Sequence, residues 1–290
     1  MNFLKYSKLY FAISSLMILI SVFSLWRWGL QLDIDFTGGS LLEISSQPAL
    51  SEDQVKQALA QIVKDDALIQ PAGENKLLIK TRQLQQSQVD QLLEQLSRQT
   101  EQVNLLRFET IGPTLGQELI RKTLLAIGLS IGFITLYLAW TFKDIRYGVS
   151  AILAMLHDTF ILIGSFSLLG HFLHVPVDTL FVTAVLTTLS FSVHDTIVVY
   201  DRIRESRKLL PRLDLVTLAN KALTETMTRS LNNSFTIIFM LAALSLLGGD
   251  TIRYFALALL IGTVLGTYSS PFVAVPILVY WQQLSQRKKS

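Results

Sequence analysis

Six long apolar runs govern what this chain of 290 residues can fold into. They fall at 9–28 and at about 123–142, 147–170, 178–200, 230–248 and 253–281. Each is near the length that crosses the hydrocarbon layer of a bilayer as one helix, about 17–25 residues. Charged residues make up only 16% of the chain, against about 25% in ordinary soluble domains. A chain this apolar has too little polar surface to stay dissolved. The expected fold class is therefore an α-helical polytopic membrane protein with six transmembrane helices. The first run has a long apolar core and no small-x-small cleavage site after it. Trp26, Arg27 and Trp28 follow instead and read as an interfacial anchor, so a retained span is expected rather than a cleaved signal. The last run contains Pro271 and Pro276, which predict a tilt or kink.

Residues 29–121 break the pattern: they are polar, with short apolar stretches, and too long for a simple loop. A strand is expected at 41–45, after the turn at Gly38 and Gly39. Ser51 is the expected N-cap of a helix bearing Val55, Leu59, Ile62 and Val63 at helical spacing. Strands are expected at 67–70 and 76–81, a second helix at 87–98 and a last strand at 103–108. The order βαββαβ predicts a ferredoxin-like α+β extramembrane domain between the first and second spans. The expected division is 1–28 for the N-terminus and first helix, 29–121 for the domain, and 122–290 for a five-helix membrane part with a cytoplasmic loop at 201–229.

The short loops set the orientation. Lys5, Lys8, Lys143, Arg146, Arg202, Arg204, Arg207, Lys208, Arg212, Lys221, Arg229, Arg287, Lys288 and Lys289 all fall on one side, and Arg253 is the basic residue in the short loops of the other. The inserted domain carries Lys56, Lys64, Lys80 and Arg98, but long translocated domains are exempt from this count. Both termini are expected in the cytoplasm, with the domain outside.

Ionisable side chains within a span are costly and mark function by default. Asp158 lies near the middle of the third span, after His157; Asp195 lies toward the cytoplasmic end of the fourth, after His194; Arg229 opens the fifth. Asp195 and Arg229 are expected at similar depth on adjacent helices, where a protonation-dependent attraction would make a switch. The plainer alternatives stand beside it: Asp195 paired with Arg229 as structural glue, Asp158 bonded to a neighbouring Ser or Thr, Arg229 snorkelling to lipid phosphate, and both histidines as packing residues rather than metal ligands. Gly262, Gly266 and Ser270 form a small-xxx-small face suited to helix packing. Cysteine is absent, which excludes disulfides and thiolate metal sites. No phosphate-binding loop, zinc-protease string or nucleophile elbow occurs, so no enzyme activity and no cofactor are expected.

Several strings carry a family resemblance. Asp35-Phe36-Thr37-Gly38-Gly39 looks like the motif after the first span of the SecD and SecF proteins. Gly112-Pro113-Thr114-Leu115-Gly116, His157-Asp158, the run from Asp195 to Glu205, and Gly266-Thr267-Tyr268-Ser269-Ser270 are similar to further strings of that family, in the same order. Length favours the SecF branch. The chain departs at Ser190-Phe191-Ser192-Val193-His194, where the family favours Gly-Tyr-Ser-x-Asn, and at Ser230, Asn232 and Asn233, where it favours threonines.

The resemblance implies a carrier of the resistance-nodulation-division class in the bacterial cytoplasmic membrane. It would act with SecD beside the SecYEG channel, after SecA, to promote export of unfolded polypeptide with the proton-motive force. It also implies a proton relay through Asp195 and Arg229, with Asp158 and His194 as further candidates; membrane lipid is an expected partner and nucleic acid is not. Two rival functions are a non-conducting scaffold for the SecD/SecYEG assembly and a small-molecule exporter of the same carrier class, which usually has a longer, duplicated chain.

Overall fold

The computed structural model describes residues 2–63, 67–73 and 75–287. Lys64, Lys288 and Lys289, cited above as basic residues, lie outside the described residues, as does the side chain of Arg287. The chain divides into two compact units, one of Met1–Gln31 with Leu125–Ser290 and one of Leu32–Leu124.

The larger unit is helical. A 3-10 turn over Phe3–Tyr6 leads into α1 (Ser7–Arg27). Then come α5 (Pro113–Thr141), which begins in the smaller unit, α6 (Ile145–Leu173), α7 (Thr179–Leu209), α8 (Leu215–Leu247) and α9 (Asp250–Ser269). A π turn (Ser270–Ala274) and α10 (Val275–Arg287) continue α9. Among the described residues, six helical segments are long and apolar enough to span a membrane. Aspartates start three of them: Asp144 accepts from Arg146 N at 3.1 Å, Asp178 from Phe181 N at 2.8 Å and Asp214 from Thr217 N at 3.1 Å. Each satisfies an amide that a helix start leaves without an intrahelical partner.

Proline explains the break in the last span. Pro271 has no N–H to give and its ring crowds the preceding turn, so the backbone opens into a π turn there before regular helix resumes. The stretch 201–229, expected as a loop, is mostly helix: α7 runs on to Leu209 and α8 starts at Leu215. Charge pairing supports these extensions. Arg202 bonds Glu205 within α7 at 2.6 Å and reaches Glu225 of α8 at 2.6 Å. Leu138 of α5, Met155 of α6, Leu189 and Tyr200 of α7 and Leu278 of α10 share one core and are fully inaccessible.

The smaller unit holds a short helix α2 (Ile34–Thr37), β1 (Gly39–Gln47), α3 (Glu52–Ala60), β2 (Leu68–Pro71), β3 (Lys76–Thr81), α4 (Gln86–Ser97) and β4 (Gln102–Ile111). The sheet is antiparallel, in the order β2-β3-β1-β4. Ser51 caps α3 in a capping box with Gln54, as its position before Glu52 and Asp53 predicts. Leu42, Ile44 and Ile79 of the sheet share one core with Val55 and Leu59 of α3 and Val89, Leu92 and Leu96 of α4. Burying each of these larger aliphatic side chains is worth roughly 1.5–3 kcal/mol, which is what holds two short helices on the sheet.

Candidate functional site

The membrane unit places three helices around one carboxyl group. Asp158, on α6, is completely buried. Its Oδ2 accepts hydrogen bonds from Ser192 Oγ of α7 at 2.7 Å and from Ser269 Oγ of α9 at 2.5 Å. Oδ1 lies 2.9 Å from His157 Nδ1. A carboxyl in apolar surroundings is tolerable only when hydrogen-bonded, and the two serines and the histidine meet that need. Nε2 of His157 is buried without a partner among the described residues.

Small residues bring α7 and α9 close enough for these bonds. A Cβ on Gly262 would strike the Thr188 side chain, and one on Gly266 would meet Ser192 Cα at 3.3 Å. One turn on, Ser270 Oγ lies 2.9 Å from Thr196 Oγ1. Positions 188, 192 and 196 thus step along α7 in register with 262, 266 and 270, so two parallel helices meet at a seam of small residues. The π turn is held from both ends. Ser269, the residue before it, bonds Asp158, while Tyr200 OH donates to Ala274 O at 3.0 Å and lies 2.6 Å from Ser150 Oγ.

Asp195 sits elsewhere, half-buried on the side of α7 that faces α8. It lines a cleft of about 530 Å³ between α7, α8 and α9, with His194, Asn233, Thr263 and Thr267 among the other lining residues. Its carboxyl interacts with the Ser230 hydroxyl of α8 and with the His194 ring. Arg229 is exposed and makes no ion pair among the described residues. His194, Ser190, Asn233 and Thr236 are exposed in this structure. Among the described residues no cluster of three or more His, Cys, Asp or Glu could hold a metal ion.

The glycine strings of the smaller unit meet one another. Asp33 caps α2 through Ile34 N at 2.8 Å and pairs with Lys80 at 2.8 Å. Phe36 is buried, and Thr37 Oγ1 donates to Asp33 O at 3.1 Å. Gly38 and Gly39 then take positive φ values of 72° and 135°, a region that favours glycine. A Cβ on Gly38 would lie 2.8 Å from Pro113 Cα, and one on Gly116 would lie 2.7 Å from Phe36 O. The segment 35–39 therefore packs backbone to backbone on 112–116.

The family model described as protein export membrane protein SecD/SecF, C-terminal, matches residues 91–284. The chain belongs to the SecD/SecF family. It is 38% identical to the protein translocase subunit SecF of Anaerolinea thermophila, over 97% of this chain and 94% of that one. It is 37% identical to the SecF subunit of Thermobaculum terrenum, again over 97% and 94%. The crystal structure of SecDF from Thermus thermophilus, a translocon-associated membrane protein, superposes with a TM-score of 0.87 at 32% identity. That match covers 98% of this chain and 39% of the SecDF chain, so this chain spans about two fifths of the fused protein.

Within this SecF-family chain, the structure joins some sequence-flagged residues and separates others. Gly262, Gly266 and Ser270 share the α7–α9 seam with the Asp158 cluster, while Asp195 and His194 line the separate cleft. Ser192 and Ser269 are the hydroxyls that Asp158 bonds, and Ser230 is the one that Asp195 meets. The four-residue spacing of Thr188, Ser192 and Thr196, equal to that of Gly262, Gly266 and Ser270, is the signal that would have matched the two helices.

Proposed function

We propose that this chain is a non-enzymatic auxiliary subunit of bacterial protein export, acting with a SecD-type partner beside the SecYEG channel and driven by the proton-motive force. A part in protein export follows from the family. The finer reading rests on one observation: a half-buried carboxyl, Asp195, lines a polar cleft between α7, α8 and α9 within the spans. An acid with water-sized space beside it can exchange a proton without leaving the bundle, and a membrane potential supplies about 2.3 kcal/mol per charge per 100 mV to bias that exchange. Arg229 would approach Asp195 in another conformation, with Ser230 the partner in the present one.

Exposed His194 and Asn233 support a membrane partner over that cleft, because bare lipid offers their side chains no hydrogen bond. The fused SecDF of Thermus thermophilus makes a SecD-like protein the natural candidate. The basic side of the short loops supports cytoplasmic termini in an inner membrane. The order βαββαβ with strands β2-β3-β1-β4 supports a ferredoxin-like domain on the opposite side, where it would contact polypeptide released by the SecA-driven step. Export into energised inverted vesicles tests the proposal, at fixed SecA and ATP. Asp195→Asn should export no better than wild type with its proton gradient collapsed, while assembling normally. Full potential-dependent export by that variant would leave a non-conducting scaffold as the function.

A further inference from the structure

A second cavity, of about 340 Å³, lies where α5 ends and α6 begins, against the last turns of α7. Four of its lining residues are cations: Lys143, Arg204, Arg207 and Lys208. Asp144 lines it too, but that carboxylate is closed in a two-pronged pair with Arg146, at 2.8 and 2.6 Å. Arg204 is held by Asp201 at 3.2 Å and lies 5.3 Å over the Phe142 ring. Lys143, Arg207 and Lys208 make no ion pair among the described residues, so the cavity carries uncompensated positive charge. Tyr147 also lines it, 3% exposed, and its buried hydroxyl has no hydrogen-bond partner among the described residues. A buried hydroxyl left unpaired costs about 1–3 kcal/mol, which a ligand with acceptor oxygens would recover.

The rim is apolar. Trp140, Ile145 and Leu209 are 82%, 74% and 68% exposed at these same helix ends. Aromatic and aliphatic side chains beside cations at the end of a span are the pattern of a bilayer interface. We propose that this cavity binds a phosphate group, supplied by an anionic phospholipid whose acyl chains lie against Trp140, Ile145 and Leu209. Lys143, Arg207 and Lys208 neutralise the phosphate, and the Tyr147 hydroxyl donates to one of its oxygens. The site is independent of the cleft at Asp195, and it stands or falls without the proton-coupling proposal.

The test uses the purified full chain in neutral detergent, titrated with phosphatidylglycerol, with phosphatidylcholine, or with inorganic phosphate, and reads the thermal midpoint. Phosphatidylglycerol should raise the midpoint saturably and phosphatidylcholine should not. The variant Lys143→Gln/Arg207→Gln/Lys208→Gln should need far more lipid for the same shift, about fivefold for each cation removed. Tyr147→Phe should raise the lipid-free midpoint, because it removes the unpaired hydroxyl, and should weaken lipid binding several-fold. Saturable stabilisation by inorganic phosphate alone, lost in the triple variant, would confirm the phosphate site and identify free phosphate as its source. No shift with either ligand, a shift retained in the triple variant, or an equal loss in a Lys5→Gln/Lys8→Gln control would overturn the proposal.

Discussion

Ser269 donates its hydroxyl to Asp158 Oδ2 across two helices, one residue before the backbone of the last span opens into a π turn. The same oxygen accepts from Ser192. One carboxyl therefore fixes α6, α7 and α9 at a common level. Asp158→Ala leaves both hydroxyls without their acceptor and should destabilise the bundle by about 1–2 kcal/mol, the range for hydrogen bonds between membrane helices. Asp158→Asn keeps an acceptor oxygen and should lose less. Denaturation in mixed detergent micelles reads the order of the three proteins; equal stability of wild type and Asp158→Ala would show that the carboxyl does not fix the helices.

The seam between α7 and α9 makes a sharper prediction. Gly262→Ala would press on the Thr188 side chain, and such overpacking costs about 1–3 kcal/mol. Thr188 Oγ1 is buried without a partner among the described residues, so Thr188→Ala removes an unsatisfied group and should cost little. The double variant should recover much of the loss, with a coupling of about 0.5–3 kcal/mol in a mutant cycle. Additive effects would mean that the two residues do not meet.

These contacts show what could be read from residue order and what could not. Span number, the capping of α3 and the alternation of strand and helix in the smaller unit are local consequences of hydrophobic period and cap chemistry, so Ser51 and the apolar stripes of α3 and α4 were legible. Hydropathy marks only the apolar centre of a span. It missed the extensions of α7 and α8, which are held by pairs such as Arg202 with Glu225, 23 residues apart. The site was legible as residue types at depth, not as partnerships. Asp158 meets Ser269 over a separation of 111 residues, which no local pattern encodes.

In the smaller unit, the backbone contact between 35–39 and 112–116 should tolerate no side chain. Gly116→Ala would place a methyl 2.7 Å from Phe36 O, a backbone atom that cannot turn aside. The cost should be about 1–3 kcal/mol. Gly112, four residues earlier, has nothing within 4 Å of its added Cβ, and Gly112→Ala should stay within about 0.5 kcal/mol of wild type. Limited proteolysis of the full chain across a temperature series would separate them. Equal sensitivity of the two variants would discard the contact as the reason for glycine at 116.

Asp144 gives a prediction in pH. The Arg146 guanidinium, bonded to both of its oxygens, holds this carboxyl below the usual aspartate range, and Arg207 nearby acts in the same direction. A folded value lower than the unfolded one means that the pair stabilises the fold above the unfolded value, about 3.9. That contribution is lost as pH falls through the folded value. The midpoint difference between wild type and Asp144→Asn should therefore be full near neutral pH and shrink in acid, starting below about pH 4. Arg207→Gln should narrow the difference without abolishing it, because the bidentate bond to Arg146 remains. A difference that stays constant down to about pH 2 would show that the ionised pair with Arg146 is not its source, and no difference at neutral pH would assign the stabilisation to the N-cap bond to Arg146 N, which asparagine can also accept.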